Sequence, residues 1–285
     1  MLGSDVNYLA AAADLSGAGG GSSGGNTKSL WISSTNNSLE NTFFRTAFYG
    51  ATQNVLVGYD VTRSDKQVLG ISGGYEASNF TTTFNVGSEK TRGYNINPYF
   101  AWLLSDRWSL DLIGGYGKFD TKQTRTLGSA APPATVAVNS DFSSKRSFVS
   151  TNLTNISGQG NWKLTSSLGY LWSQRDQDGY TESDGVTTVD GTKLTSKQWN
   201  LLEEIAYGSG NSETYFGARF EDVRGYQKIE LLGGEQPAND PTSVLLSAGW
   251  RYFGRGLTAS FVFSGRVGQE QVKQHGFSMV LRADI

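Results

Sequence analysis

Apolar and polar residues alternate along most of the chain after Leu30, with the two-residue period of β-strands. In the segment "NWKLTSSLGYLW", for example, Trp162, Leu164, Leu168 and Tyr170 share one face, and smaller or polar residues occupy the other. About twelve segments follow this pattern, and none after Leu30 shows a convincing helical period. The pattern predicts an all-β chain of about twelve antiparallel strands.

Short hinges and long polar stretches alternate between these segments. The short hinges fall at 63–66, 105–107, 157–160, 208–212 and 254–256. The long polar stretches are 38–50, 78–92, 122–146, 174–195 and 226–241, followed by a shorter last loop near 267–273. Because every second connection of a meander lies at the same end, one end should carry tight turns and the other long loops. That asymmetry is typical of outer-membrane β-barrels, whose long loops are extracellular.

Several large aromatic residues lie within a few positions of a predicted tight turn. They are Trp102, Trp108, Trp162, Trp250 and Tyr252. A general preference of aromatic residues for strands would not gather them at one end. Rings of this kind are favoured at membrane–water interfaces. We therefore expect an aromatic girdle on the periplasmic side of a transmembrane barrel.

The polar face of each predicted strand should line the lumen, since its apolar face would contact lipid. An Arg or Lys at the bilayer midplane of a barrel costs about 2–4 kcal/mol. The residues predicted to line the pore are Asp60, Glu76, Asp111, Arg251 and Arg282. Glu203 is an exception, because it shares parity with Trp199, Leu201 and Ile205. Either a bulge in that strand or a position near the rim would explain it.

Composition narrows the possible functions. The mean hydropathy is −0.37 and 18% of residues are charged, and no apolar run is long enough for a transmembrane helix. A formal net charge of −2 argues against a nucleic-acid partner. The absence of cysteine excludes disulfides, thiolate metal sites and cysteine nucleophiles. We expect no cofactor and no bound metal.

The first residues differ from the rest of the chain. Val6, Leu9, Ala10 and Ala13 share one face of a short helix predicted over 4–14, and a Gly/Ser-rich linker follows at 15–28. Isolated helices shorter than about 12–15 residues are marginal in water, so this one should be sheltered inside the barrel. The predicted division is therefore a pore helix with its linker at 1–27 and a barrel at 28–285.

Because 1–5 shows no secretory signal, the chain should be either cytosolic or part of a longer exported precursor.

An outer-membrane hydrolase is an alternative, but the required residues are missing. His275 is the only histidine, and Ser278 falls on the opposite face of the same predicted strand. Asp176 and Asp178 have no histidine beside them. Calcium binding by these two residues and Asp184 is disfavoured, since EF-hand spacing is absent. We predict neither a catalytic nor a metal site.

Two stretches, Val55–Phe80 and Gly93–Arg125, resemble the translocator domain of autotransporters (type V secretion proteins). The matching positions are Gly58, Asp60, Gly70, Gly74, Tyr75, Tyr116, Gly117 and Arg125. The resemblance implies a twelve-stranded outer-membrane barrel with a helix in its lumen and a secreted passenger upstream. It also implies outer-membrane lipid, the passenger, the barrel-assembly machinery and periplasmic chaperones as partners of a monomeric barrel.

Two departures from the family pattern affect the expectation. The chain ends Ala283-Asp284-Ile285 rather than with an aromatic residue, which should weaken recognition by the assembly machinery. The one Asn-Asn pair, Asn36-Asn37, is expected after the first strand rather than in the pore helix, so autocleavage is not expected. The sequence thus predicts an outer-membrane anchor and export pore, with extracellular loops and with periplasmic turns and C-terminus. A diffusion porin with an N-terminal plug is the alternative.

Overall fold

The computed structural model describes residues 27–128, 135–225 and 234–285, all as strands and connections. The predicted helix over 4–14 and most of its linker lie outside the described residues. Twelve of the described strands build one sheet, and two very short ones, β8 (Tyr180–Thr181) and β9 (Thr188–Val189), form a separate hairpin. The twelve are β1 (Lys28–Asn41), β2 (Phe48–Ser64), β3 (Gln67–Thr82), β4 (Gly87–Leu103), β5 (Trp108–Gly128), β6 (Thr135–Gln159), β7 (Trp162–Gln177), β10 (Thr192–Ser209), β11 (Ser212–Arg224), β12 (Thr242–Gly254), β13 (Leu257–Val267) and β14 (Val272–Asp284).

These twelve strands form a closed antiparallel barrel in which each pairs with its neighbours along the chain. The first and last strands close it, with registers running from Ser29 opposite Asp284 to Asn41 opposite Val272. Closure leaves no sheet edge with unpaired backbone groups, which a membrane would not tolerate. The predicted twelve-stranded, all-β fold is confirmed.

Tight turns join the strands at one end of the barrel, as predicted. Gly160, Gly210 and Gly256 have positive φ angles of 61°, 60° and 69° in three of these turns. Glycine adopts this left-handed backbone without the steric penalty of a Cβ. We call this end the turn end and the opposite one the long-strand end.

Three of the long polar stretches, 38–50, 78–92 and 122–146, were wrongly predicted to be loops, because most of their residues belong to strands. The described part of the predicted 226–241 loop, residues 234–241, contains no strand. β5 runs to Gly128 and β6 begins at Thr135, so most of the predicted 122–146 loop is a ladder. Likewise, only residues 42–47 and 83–86 connect β1 to β2 and β3 to β4. Beyond the apolar band both faces of a strand meet polar surroundings, so the alternation disappears there although the strand continues.

The two faces of the barrel differ sharply in chemistry. The outer face is apolar over a central band, and the inner face carries buried Ser, Thr, Asn, Glu and Arg side chains. No helix among the described ranges is long and apolar enough to cross a membrane. A polar inner face and an apolar outer face are the inverse of a water-soluble protein, and they match a barrel whose outside contacts lipid.

Asn36-Asn37 lies elsewhere than predicted. Both residues belong to β1, with Asn36 exposed on the outer face and Asn37 buried on the inner one. The polar run "SSTNNS" hid this strand, because it offers no apolar alternation. The pair therefore lies within the barrel wall.

Candidate translocation pore and membrane belt

A hydrogen-bonded network spans the closing seam on the inner face near the turn end. Arg282 Nη2 lies 2.7 Å from Asp60 Oδ1, and its Nη1 donates to Asp60 Oδ2 at 3.0 Å. The hydroxyl of Tyr99 also donates to Asp60, at 2.9 Å, and accepts from Trp31 Nε1 at 2.7 Å. Arg282 further donates to Ser29 at 2.9 Å. These bonds link β14, β1, β2 and β4 across the point where the barrel closes.

A second group lies at the turn end on the opposite wall. Arg251 donates to Glu204 at 2.7 and 2.8 Å and to Glu213 at 2.9 Å. Its guanidinium carbon lies 3.7 Å from the centre of the Tyr215 ring, and Lys163 pairs with the same Glu213. Four strands, β7, β10, β11 and β12, are connected in this way. Paired charges of this kind suffer less from burial than isolated ones.

Two more arginine–glutamate pairs are almost completely buried. Arg146 on β6 lies 3.1 Å from Glu76 on β3, and its guanidinium covers the Phe119 ring at 4.2 Å. Arg266 on β13 pairs with Glu221 on β11. Buried charges are tolerated in a protein only when they are paired. The inner surface is therefore strongly polar yet largely charge-balanced.

Several uncharged polar groups on the inner face have no hydrogen-bond partner in the described part of the chain. Thr52 Oγ1, Ser78 Oγ, both side-chain amide atoms of Asn54 and Asn95 Nδ2 are buried without a hydrogen bond among the described residues. Asp111 is buried as well and makes no ion pair there. A buried polar group without a partner costs free energy. These five atoms therefore leave hydrogen-bonding capacity in this part of the inner wall that no described residue uses.

The structure brings together only two of the residues predicted to line the pore, Asp60 and Arg282. Glu76 and Arg251 bind residues that the sequence analysis missed, which are Arg146, Glu204 and Glu213, and it also missed the pair Arg266–Glu221. The same alternation could have placed these residues on the inner face, since all have its parity, but it could not have predicted which of them pair. The pore-lining role itself stays a prediction.

Four strands carry two aromatic residues eight positions apart on the outer face. The pairs are Tyr94 and Trp102, Trp108 and Tyr116, Trp162 and Tyr170, and Trp199 and Tyr207. One member lies near the turn end and the other lies toward the long-strand end. At about 3.3 Å per residue and a tilt of about 40°, the two rows are roughly 20 Å apart along the barrel axis. We call them the lower belt and the upper belt.

The lower belt contains the predicted girdle residues. Trp102, Trp108, Trp162 and Trp250 are 39–53% exposed on the outer face, and Tyr252 is partly covered by stacking on Trp250. Tyr207, whose ring lies 4.9 Å from that of Trp162, also belongs to the lower belt and was not predicted. The upper belt was not predicted either, although its eight-residue spacing is visible in the sequence. Tyr75 and Tyr94, with rings 5.3 Å apart, belong to this upper row.

Glu203 lies at neither a bulge nor a rim, so both predicted explanations were wrong. The registers of β10 with β7 and β11 run without a shift, and Glu203 is exposed on the outer face. It lies four residues from Trp199 and four from Tyr207, in the middle of the apolar band. Its Oε2 accepts a hydrogen bond from Ser166 at 2.7 Å. One hydrogen bond thus partly satisfies a carboxylate that faces lipid.

The hairpin β8–β9 folds against the inner face of the long-strand end. Glu182 accepts two hydrogen bonds from Arg125 on β5, at 2.8 and 2.6 Å, and Tyr180 stacks on Phe142. The bonds to Glu182 raise the pKa of Arg125. At the tip, the Thr187 hydroxyl and the Thr187 and Val186 amides bind Asp184 and lower its pKa. The hairpin is therefore tied to the barrel and ordered within itself.

No alternative site emerges from the described ranges. They contain no group of three His, Asp or Glu side chains that could hold a metal ion. His275 is exposed on the outer face, whereas Ser278 is buried and lies 3.1 Å from Thr35. These two side chains therefore lie on opposite faces of the barrel wall.

The comparisons with known proteins agree with this architecture. The sequence model described as "Autotransporter beta-domain" matches residues 30–202, which is more than half of the chain. The chain belongs to the autotransporter β-domain family. No curated protein sequence matches the chain.

Solved autotransporter barrels have the same fold. The β-domain matches the translocator domain of NalP from Neisseria meningitidis with a TM-score of 0.79 and 13% identity, covering 98% of this chain and 95% of that one. It matches the β-domain of the Bordetella autotransporter BrkA with a TM-score of 0.71 and 15% identity over 91% and 100%. The transport unit of AIDA-I from Escherichia coli gives 0.64 and 13% over 90% of both chains. At these identities the likeness establishes the fold alone.

Proposed function

We infer that this chain anchors an autotransporter in the outer membrane and forms the pore through which its passenger reaches the cell surface. Membership of the autotransporter β-domain family carries this conclusion. The apolar outer band between two aromatic belts supports membrane insertion, and the hydrophilic inner wall supports passage of a polypeptide. The family is one of translocators, and we expect no catalytic activity of the barrel.

In the proposed orientation, the turn end is periplasmic and the long-strand end is extracellular. Outer-membrane barrels have short periplasmic turns and longer extracellular connections. Here the turn end has connections of two to four residues, and β5 and β6 continue well beyond the upper belt. The C-terminal residue Ile285 lies with the turns, so it is periplasmic in this orientation.

We further propose that residues 1–27 lie in the lumen as a helix and its linker, with Val6, Leu9, Ala10 and Ala13 on the helix. A barrel is already filled by its own side chains at about eight strands, so twelve leave space. The unpartnered inner groups, such as Asn54 and Ser78, support an occupant able to form hydrogen bonds. A barrel of this kind would act as a monomer and be inserted with the help of periplasmic chaperones and the barrel-assembly machinery.

Surface display of a reporter tests the function. A small epitope-tagged domain joined upstream of residue 1 should become accessible to antibody on intact cells. The matched control joins the same domain downstream of Ile285, where the proposed orientation keeps it periplasmic. Display from the downstream position, or none from the upstream one with a correctly folded barrel, would contradict the proposal.

Conductance tests the position of residues 1–27. Deleting 1–27 should raise single-channel conductance in a planar bilayer several-fold, because the lumen would then hold only water. A boiled-versus-unboiled electrophoretic shift verifies that the shortened barrel is folded. Equal conductance of the full and shortened chains would place this segment outside the pore.

A further inference from the structure

A cluster of unpaired cations lies on the outer wall immediately beyond the upper belt. Its members, which we call the outer cation cluster, are exposed and project from three adjacent strands. They are Lys90 and Arg92 on β4, Lys118 and Lys122 on β5, and Lys145 on β6. None of the five makes an ion pair with a described residue.

The strand registers concentrate this charge. Lys90 lies directly opposite Lys122, and Lys118 lies directly opposite Lys145. Like charges at directly opposed positions of an antiparallel pair are destabilising. The sequence thus maintains two repulsive pairs side by side, and a bound anion would turn that repulsion into attraction.

Nearby carboxylates do not neutralise the cluster. Asp120 lies opposite Arg92, but it accepts a hydrogen bond from Ser143 at 2.7 Å instead of forming an ion pair. Asp141 lies opposite Lys122 without an ion pair either. Asp176 on β7 lies opposite Lys145, where it accepts hydrogen bonds from Gln174 and forms no ion pair with the lysine. Five cations therefore face three carboxylates on this patch.

The upper belt fixes the depth at which the cations lie. Tyr94 is 72% exposed and directly opposite Lys118, and Tyr116 is two residues nearer the apolar band. Tyrosines favour the level of lipid headgroups. Lys118 and Lys145 therefore lie at headgroup level, and Lys90, Arg92 and Lys122 lie slightly farther out, beside rather than within the hydrocarbon.

We propose that the outer cation cluster is a binding site for a lipid whose headgroup carries phosphate, in the extracellular leaflet. Ammonium and guanidinium groups form charge-assisted hydrogen bonds with phosphate oxygens. The acyl chains of such a lipid would lie against the apolar band below Tyr94 and Tyr116. This inference rests on the orientation proposed above, which makes the long-strand end extracellular.

Strands β10 and β11, farther around the barrel beyond β7, provide a matched control. Lys193 and Lys197 on β10 and Arg224 on β11 lie equally far beyond the belt residue Trp199. There, however, Arg224 pairs with Asp222 at 2.8 Å. Asp176 on β7 lies opposite both Lys193 and Lys145, so it does not distinguish the two groups. These three cations match Lys118, Lys122 and Lys145 in number and in depth, but one of them is held in an ion pair.

The test compares two triple variants of the full chain, K118Q/K122Q/K145Q and the control K193Q/K197Q/R224Q, in detergent. The probes are bisphosphorylated lipid A, its dephosphorylated form and inorganic phosphate, with bound lipid counted by native mass spectrometry. We expect the wild type and the control variant to prefer the phosphorylated lipid at least tenfold, and the first variant to lose that preference.

Unchanged binding by K118Q/K122Q/K145Q, an equal loss in the control variant, or equal binding of the dephosphorylated lipid would overturn the proposal. Displacement of the lipid by millimolar-range inorganic phosphate would also overturn it, since the site would then recognise the free anion. Reporter display by the same variants distinguishes failure of the proposed lipid site from failure of the proposed translocator function. Normal display with no lipid preference refutes the lipid site alone, and loss of display in the wild type refutes the translocator function.

Discussion

Asp60 is the residue at which the closing seam is most tightly bonded. It accepts hydrogen bonds from Arg282 and Tyr99 and is 1% exposed. Removing one partner of a buried ion pair costs about 3–5 kcal/mol, because the other charge is left without compensation. Asp60→Asn should therefore lower the free energy of unfolding by about that amount, measured by urea denaturation of the refolded barrel in detergent.

The same seam contains a matched exposed pair. Lys273 lies 3.6 Å from Glu40, and both side chains are at least half exposed. Exposed ion pairs contribute about 0–1 kcal/mol, so Lys273→Gln should leave the unfolding midpoint almost unchanged. Equal losses from Asp60→Asn and Lys273→Gln would show that the buried network does not hold the seam.

Replacing Glu203 should raise the free energy of unfolding, whereas replacing Asp60 should lower it. A carboxylate in the middle of the apolar band loses water on insertion and keeps one hydrogen bond, from Ser166. Charged residues on a barrel's lipid face destabilise it, acidic ones by less than the roughly 2–4 kcal/mol of Arg or Lys. Glu203→Leu should raise the free energy of unfolding by about 1 kcal/mol, and Glu203→Gln should raise it by less. Destabilisation by both would indicate that the carboxylate has a partner in the membrane.

At the scale of elements, the sequence predicts strands well only where one face is apolar. The alternation in β7 and β12 is evident, whereas β1 was obscured by its polar outer residues Ser34, Asn36 and Ser38. For the same reason the ends of β5 and β6 resembled a loop. The ion pairs were beyond prediction, since they join strands such as β3 and β6 whose proximity depends on barrel closure and stagger.

The hairpin β8–β9 should respond to pH through Asp184. Three hydrogen bonds to Val186 and Thr187 lower the pKa of this carboxyl. A lowered pKa in the folded state gives stability that is present above the unfolded pKa and is lost as pH falls through the folded value. Limited proteolysis within 183–187 should therefore accelerate below about pH 4.

Asp184→Asn provides the control for that experiment, because its amide oxygen can accept the same bonds without titrating. This variant should show much less acid-induced cleavage than the wild type. Identical pH profiles for the two chains would mean that another group opens the hairpin.

At the scale of the whole molecule, the lipid-facing surface is incompatible with water. Leu30, Val57, Ile96, Phe216 and Phe263 are each more than 40% exposed. A soluble monomer rarely exposes a contiguous apolar surface of such extent. The purified chain should therefore require detergent, show a β-type circular dichroism spectrum, and migrate differently with and without boiling. A monodisperse protein in detergent-free buffer would contradict the membrane barrel.

The eight-residue interval between the two aromatic belts also determines which bilayer thickness suits the barrel. It sets a hydrophobic thickness of roughly 20 Å between the rows of rings, well below the ~30 Å of an average hydrocarbon core. The mismatch can be relieved by thinning the surrounding bilayer, at a cost that rises with each ångström. Spontaneous insertion should consequently be fast into vesicles of short-chain phosphatidylcholine and slow into long-chain ones. The barrel would thereby be disfavoured in thicker membranes, with no targeting signal needed for that discrimination.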